Sequence, residues 1–259
     1  EDQERSDKSV SKVTDSFFEA DDSVAVEAFK EKMNSKLGEV VEANRSTIVS
    51  SPDPLRSLAE VVKQNFVADL RLTGEQNIPS NGPIILACNH QFSFVDILSL
   101  IDQVVKTQDK RTWSMIGGAG IISKLFPDWE NDPRIVQHYI PVRRKLNDGR
   151  SEILNGKEVM NNASRFLREE KDPMLFLAPE GVGGIYHNYP VRPRKGLAKI
   201  AKTSNAQIVP VVISGSADKN NLQFSLQIRI SSPFNAFPNE EETLNEWTSR
   251  FIESNADVA

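Results

Sequence analysis

The chain is poor in the residues that build covalent and metal-centred architectures. Its 259 residues include one cysteine, Cys88, and three histidines. A single thiol cannot close an internal disulfide or supply a multi-cysteine metal site, and it is compatible with a reducing compartment. No apolar run approaches the roughly 18 to 20 residues that a membrane-spanning helix needs, so the chain as given does not span a bilayer, although it could lie on one. A basic excess is missing as well. With 31 Lys and Arg against 36 Asp and Glu, the net charge is -5. That excludes the broad positive field of a nucleic-acid binder, so nucleic acid is not an expected partner and any basic site must be local. No internal repeat is present. The first residue is Glu1 rather than Met, which suggests a trimmed chain whose targeting or anchoring segment is out of view.

What is there suits one large globular body. A hydrophobic content of 39% over this length supports a sizeable core without covalent staples. Residues 1–15 are almost wholly polar and read as a mobile leader, since they cannot bury enough apolar surface to offset their ordering entropy. Val26, Phe29, Met33, Leu37 and Val40 recur at three- and four-residue steps, which predicts a helix over about 22–44. Leu55, Leu58, Val62 and Phe66 predict a second over 54–70. Together they make an N-terminal helical hairpin over 16–70, packed on the body over 71–259 or offering one apolar face to lipid or a partner.

After Asn81-Gly82-Pro83 the pattern changes to short β-type runs separated by helical ones. Strands are expected near 83–88, 112–116, 136–142, 174–178, 207–213 and 222–230. Helices are expected near 95–106, 151–170, 196–204 and 240–254. Such alternation implies an α/β fold with a largely parallel sheet flanked by helices.

The chemistry gathers at strand ends. The stretch Ile84–Leu98 runs from an apolar strand into Asn89-His90, then an aromatic and polar turn, then Asp96 at the head of another apolar run. A neutral imidazole can take a proton from a hydroxyl, and a carboxylate bonded to its other nitrogen fixes the tautomer and stabilises the imidazolium. The bland alternative is a satisfied polar pair in a turn. Cys88 and Ser93 are the nearby nucleophile candidates; Cys88 reads as a small buried hydrophobe and Ser93 as a turn or helix-start residue. A second constellation, Pro179-Glu180-Gly181 running on to Gly183-Gly184, lets the backbone approach a ligand and aim N–H groups at an anion. The third is basic: Arg143-Arg144-Lys145 after one strand, and Arg192, Arg194 and Lys195 before a helix at Gly196. Arginine pairs phosphate bidentately, so these are phosphate candidates or solvated surface charge. His138 reads as a strand flank and His187 as a loop residue. The sequons at Asn44 and Asn162 carry no glycosylation expectation, the second lying within a predicted helix.

Taken in order, these segments resemble the glycerolipid acyltransferase family, from about Leu72 to Ser216. Asn89-His90 with Asp96 resembles its first motif, Ile140-Pro141-Val142-Arg143 its second, Pro179-Glu180-Gly181 its third, and the strand Ile208-Val209-Pro210-Val211-Val212-Ile213 its fourth. Two departures stand out. The family places four residues between His and Asp, whereas five separate His90 from Asp96, so the turn must bulge for the two to meet. The family's Pro-Glu-Gly is usually followed by Thr-Arg, but Val182-Gly183 stands here.

The resemblance implies direct acyl transfer from a thioester, acyl-CoA or acyl-carrier protein, to a hydroxyl of a glycerol-phosphate lipid. It casts His90 as general base and Asp96 as its orienter. Arg143, with Arg144 beside it, would hold the acceptor phosphate, and Glu180 with Gly181 would shape that pocket; Arg192, Arg194 or Lys195 would stand in for the missing arginine. No cofactor or metal is implied, the thioester being a co-substrate. The product would be phosphatidic acid, made by a peripherally membrane-associated enzyme of the cytoplasm or an organelle lumen or stroma. Acylation of glycerol-3-phosphate or another lysolipid, a thioesterase, and a non-catalytic lipid-binding relative stay open.

Overall fold

Strands with no polar face lie at the centre of this chain, and a parallel sheet with helices on both sides is the arrangement that can bury them. The computed structural model describes residues 23–90, 92, 94–118, 122–123, 126, 128–147, 150–180, 193–218 and 220–256, with backbone alone for 23–27, 30, 144–147, 150–153 and 254–256. The predicted leader, Ser93, Gly181, Arg192 and His187 lie outside the described residues.

The chain opens with α1 (Ser23–Ala43), α2 (Arg45–Ser50) and α3 (Pro54–Phe66). There follow β1 (Val67–Thr73), β2 (Ile84–Cys88), α4 (Phe94–Thr107), β3 (Trp113–Gly118), α5 (Pro133–Val136), β4 (Tyr139–Val142), β5 (Arg144–Asn147), β6 (Arg150–Ile153) and α6 (Gly156–Glu169). The rest is β7 (Met174–Leu177), α7 (Gly196–Ser204), β8 (Gln207–Asp218), β9 (Gln223–Ile230), β10 (Phe234–Asn235) and α8 (Glu240–Ala256). The main sheet runs β1-β9-β8-β2-β7-β3-β4, with β10 also on β8, and every pair is parallel except β8–β9 and β10–β8.

β2 and β7 are buried along their whole length, and their two-residue alternation sorts the core into two layers. Ile84, Leu86, Cys88 and Phe176 face the layer built by α1, α3 and α4. Ile85, Ala87, Leu175 and Leu177 face α6, α7 and α8. From β2 the chain crosses through α4 to β3, whereas from β7 it crosses on the opposite face through α7 to β8, on the far side of β2. The loops leaving β2 and β7 therefore diverge at a switch point at the carboxyl ends of adjacent strands, where open α/β sheets form their crevices.

Local signals set most boundaries. Asp53 caps α3 by accepting the Arg56 N–H at 3.0 Å, and Pro54 sits in the first turn, where a missing N–H leaves no bond unmade. Pro210 lies between the last β9 pair of β8, Val211–Ile230, and its first β10 pair, Ile208–Phe234, so its absent donor interrupts no ladder. The buried Arg111 guanidinium donates to the carbonyls of Pro79 (2.6 Å), Gly82 (2.9 Å) and Asp172 (2.9 Å), tying together the entries to β2 and β7.

Two helix limits differ from expectation. The helix predicted over 54–70 stops at Phe66, because Leu70 and Leu72 pair in parallel with Leu226 and Ile228, so strand pairing outweighs helical spacing. The helix predicted over 151–170 starts at Gly156, because β6 pairs antiparallel with β5. The apolar stripe that Ile153 and Leu154 extend reads as helix in the sequence, but cross-strand pairing takes Arg150–Ile153 into β6. Among the described residues no helix is long and apolar enough to cross a membrane.

Candidate active site

The chain leaving β2 is pinned before it reaches His90. The buried Asn89 carboxamide donates to Ile213 O and accepts from Ile213 N–H, both at 2.6 Å, and so continues the β2–β8 pairing through a side chain. Asp96, in the first turn of α4, is fully buried and turns back toward the loop. Its Oδ1 accepts from His90 Nδ1 at 2.8 Å and from Ile97 N–H at 2.6 Å, and its Oδ2 accepts from Phe92 N–H at 2.8 Å. Asp96 thus reaches His90 across five intervening residues. A carboxylate can only accept, so Nδ1 carries the hydrogen and Nε2 is left as a lone-pair base. The helix dipole favours an anion at this first turn.

His90 opens onto a cavity of about 520 Å³, within the range of small-molecule sites. Its lining is mostly apolar and comes from several elements, including Leu55 and Leu58 of α3, Met115 of β3, Val159 of α6 and Ile200 of α7. Gly117 and Gly118 at the end of β3, and Ala178 and Pro179 after β7, also line it. A base beside a deep apolar pocket is suited to a substrate with a reactive head and a hydrocarbon tail.

A family model described as Acyltransferase matches residues 69–214, more than half of the chain. The chain belongs to the acyltransferase family. The fold resembles that of a crystal structure described as 1-acyl-sn-glycerophosphate (LPA) acyltransferase, PlsC, from Thermotoga maritima. The TM-score is 0.53 at 16% identity, over 91% of this chain and 96% of that one, and at that identity the likeness is one of fold. The sequence matches no curated protein.

In this acyltransferase the basic residues divide. Arg194 lies at the cavity, its N–H donating to Pro179 O at 2.8 Å and its Nε to Glu180 O at 2.9 Å, so that it is fastened to the turn after β7. Glu180, in that turn, is buried. Arg143 is placed elsewhere. Its side chain is 60% exposed and pairs with Glu130 at 3.6 Å. It lines a separate hollow of about 410 Å³ against α6. Arg144 is described in backbone only, and Lys195 is exposed at the start of α7, outside the described lining of the His90 cavity. Of the sequence-predicted cations described with side chains, Arg194 alone shares a cavity with His90.

The other candidates take structural places. Burial pushes the Cys88 thiol well above its ordinary value, and the charges of Asp96 and Glu180 push it the same way, so it remains protonated and unreactive. His138 stacks on Trp113 at 4.3 Å, and its Nδ1 bonds Trp113 O at 2.7 Å. Sequence reasoning missed the cavity wall. Gly117-Gly118 at a strand end was the available signal for it, whereas the part taken by Leu55 and Leu58 depends on how the N-terminal helices dock.

Proposed function

We propose that the protein transfers a fatty acyl group from an acyl thioester, acyl-CoA or acyl-carrier protein, to a hydroxyl of lysophosphatidic acid, giving phosphatidic acid. The observation that carries this reading is the 2.8 Å His90–Asp96 bond at the mouth of the apolar cavity. His90 Nε2 takes the proton of the acceptor hydroxyl as its oxygen attacks the thioester carbon, and Asp96 stabilises the imidazolium that forms. The carbonyl electron pair moves onto oxygen. When it returns, the C–S bond breaks and the imidazolium gives its proton to the leaving thiolate, restoring the base. The buried, protonated Cys88 supports direct transfer over an acyl-enzyme.

Arg194, which shares the cavity with His90, would hold the acceptor phosphate in the role the resemblance gives to Arg143, with the Glu180 turn shaping that side of the pocket. The chemistry needs no metal or organic cofactor, and the lipid acceptor would be met at a membrane surface. The test is acyl transfer by the purified protein with lysophosphatidic acid, glycerol-3-phosphate and other lysolipids in parallel, beside His90→Ala. The expected result is turnover with lysophosphatidic acid and a loss of at least about 10³-fold in the variant. Turnover with glycerol-3-phosphate alone would move the acceptor assignment, and equal turnover by His90→Ala would remove the base. A protein inert with every acceptor would be a binding relative.

A further inference from the structure

The tetrahedral intermediate of thioester attack carries an oxyanion, and the part of the His90 cavity formed by the ends of β3 and β7 is built in a way that would receive it. β3 and β7 pair in parallel from Trp113–Met174, and their last pair is Met115–Phe176. β3 itself continues to Gly118, still paired with β4 through Gly118–Val142. The two strands therefore part at their carboxyl ends, and Gly117, Gly118, Leu177 and Ala178 on either side of the parting all line the His90 cavity.

Strand alternation says what the parting exposes. The Met115 N–H donates to His138 O at 3.0 Å, on the β4 side, so the N–H of Gly118, three residues on, points the other way, toward β7. The Met174 N–H donates to Thr112 O at 2.8 Å, on the β3 side, and the same alternation carried one residue past the end of β7 at Leu177 aims the Ala178 N–H that way too. Had the ladder continued, Gly118 N–H would bond Ala178 O and Ala178 N–H would bond Ile116 O. Neither bond is made, and neither N–H has a hydrogen-bond partner among the described residues. Two backbone donors from adjacent strands thus face the same gap. At Gly118 a Cβ would meet nothing within 4 Å, so a substrate can approach the peptide closely.

We infer that the Gly118 and Ala178 N–H groups form the oxyanion hole, taking the thioester oxygen between the ends of β3 and β7 while His90 activates the acceptor. The inference rests on the acyl-transfer reading above. As the acceptor O–C bond forms and its proton passes to His90 Nε2, the carbonyl π pair becomes the oxyanion lone pair facing these two donors. On collapse the pair re-forms C=O, the C–S bond breaks, and the thiolate takes the proton from His90. Strand backbone is rigid, so the donors need no reorganisation as charge develops.

Deleting each N–H tests the assignment. Gly118→Pro and Ala178→Pro remove the donors, and Gly118→Ala, which keeps the N–H, is the reference for the first. Because proline also restricts the backbone at the strand end, amide-to-ester replacement at the same two positions, with glycolic acid for Gly118 and lactic acid for Ala178, removes the N–H with almost no change of shape. The expected result for each deletion is a kcat lower by about 10² to 10³, with the donor KM moved by less than about threefold. Ester forms turning over at the wild-type kcat, while His90→Ala is inactive, would overturn the oxyanion assignment and leave the function standing. A wild type inert toward every acceptor would remove the function and this assignment together.

Discussion

Replacing Asp96 by Asn removes one charge and almost no volume, so it asks whether the carboxylate orients the base or only fills a turn. In the folded protein Asp96 accepts three hydrogen bonds, from His90 Nδ1 at 2.8 Å, Phe92 N–H at 2.8 Å and Ile97 N–H at 2.6 Å. An asparagine has one accepting oxygen and one donating nitrogen. If its oxygen stays on the Phe92 N–H, its nitrogen takes the place of Oδ1 and faces Nδ1, which must then accept, and the ring hydrogen moves to Nε2. A His90 with hydrogen on Nε2 cannot take a proton from the acceptor. The same tautomer error in a serine protease lowers kcat by about 10⁴, so a fall of about 10³ to 10⁴ in kcat is expected here. Leaving a buried N–H poorly satisfied costs about 1–3 kcal/mol of stability, so the variant should still fold. The assay is initial-rate release of free thiol from acyl-CoA with saturating lysophosphatidic acid, beside a thermal melt. A folded Asp96→Asn protein with kcat within about tenfold of wild type would refute the orienter role.

Two further predictions separate roles that sequence alone left together. Arg194→Ala should raise the acceptor KM by about 10- to 100-fold with little change in the donor KM, and Arg143→Ala should leave the acceptor KM nearly unchanged; the reverse pattern, read from the same initial rates, would return the phosphate to Arg143. Asp102 is fully buried between α3 and α4, where Lys63 (3.1 Å) and Lys106 (2.7 Å) meet it. Burial alone would raise its pKa, but the hydrogen bonds and charges of the two lysines outweigh that and hold the carboxyl below its ordinary value. A depressed carboxylate stabilises the fold above its unfolded pKa and loses that contribution as pH falls through the folded one. With the lysines partly exposed and screened, Asp102→Asn should cost about 1–2 kcal/mol at pH 7, or about 2–8 °C in Tm. The difference should shrink below about pH 4; a Tm gap that is constant down to pH 3 would refute the linkage.

The parts of this molecule legible in advance were those in which one local signal had no competitor. β2 and β7 carry unbroken apolar runs that suit only the middle of a covered parallel sheet, and α7 is bounded by Gly196 and the left-handed Asn205. Where two signals competed, long-range pairing decided: Leu70 fits a helix with Phe66 but a strand with Leu226. The division between Arg143 and Arg194 was illegible for a related reason. Both stand beside strand-end motifs, and only the folded chain shows that one is fastened over the Pro179–Glu180 turn while the other pairs with Glu130. The parting of β3 from β7 is likewise a property of two strands, invisible in either alone.

The longer turn between His90 and Asp96 is held at three points. Asn89 is clamped to Ile213, the Phe92 ring is buried and packs edge-on against Phe224 at 5.6 Å, and the Phe92 N–H is taken by Asp96 itself. Phe92, between His90 and α4, is thus tied to the carboxylate that the base requires. Asp96 organises its own loop, begins its own helix through Ile97, and orients His90 with the oxygen that accepts from Ile97. The consequence is that the geometry of the base depends on α4 being seated. α4 is seated in turn by the packing of Phe94 on Phe66 at 5.7 Å and by the Lys63–Asp102 pair. The N-terminal helices therefore do more than cover the sheet: through α3 they fix the position of the helix whose first turn prepares the histidine.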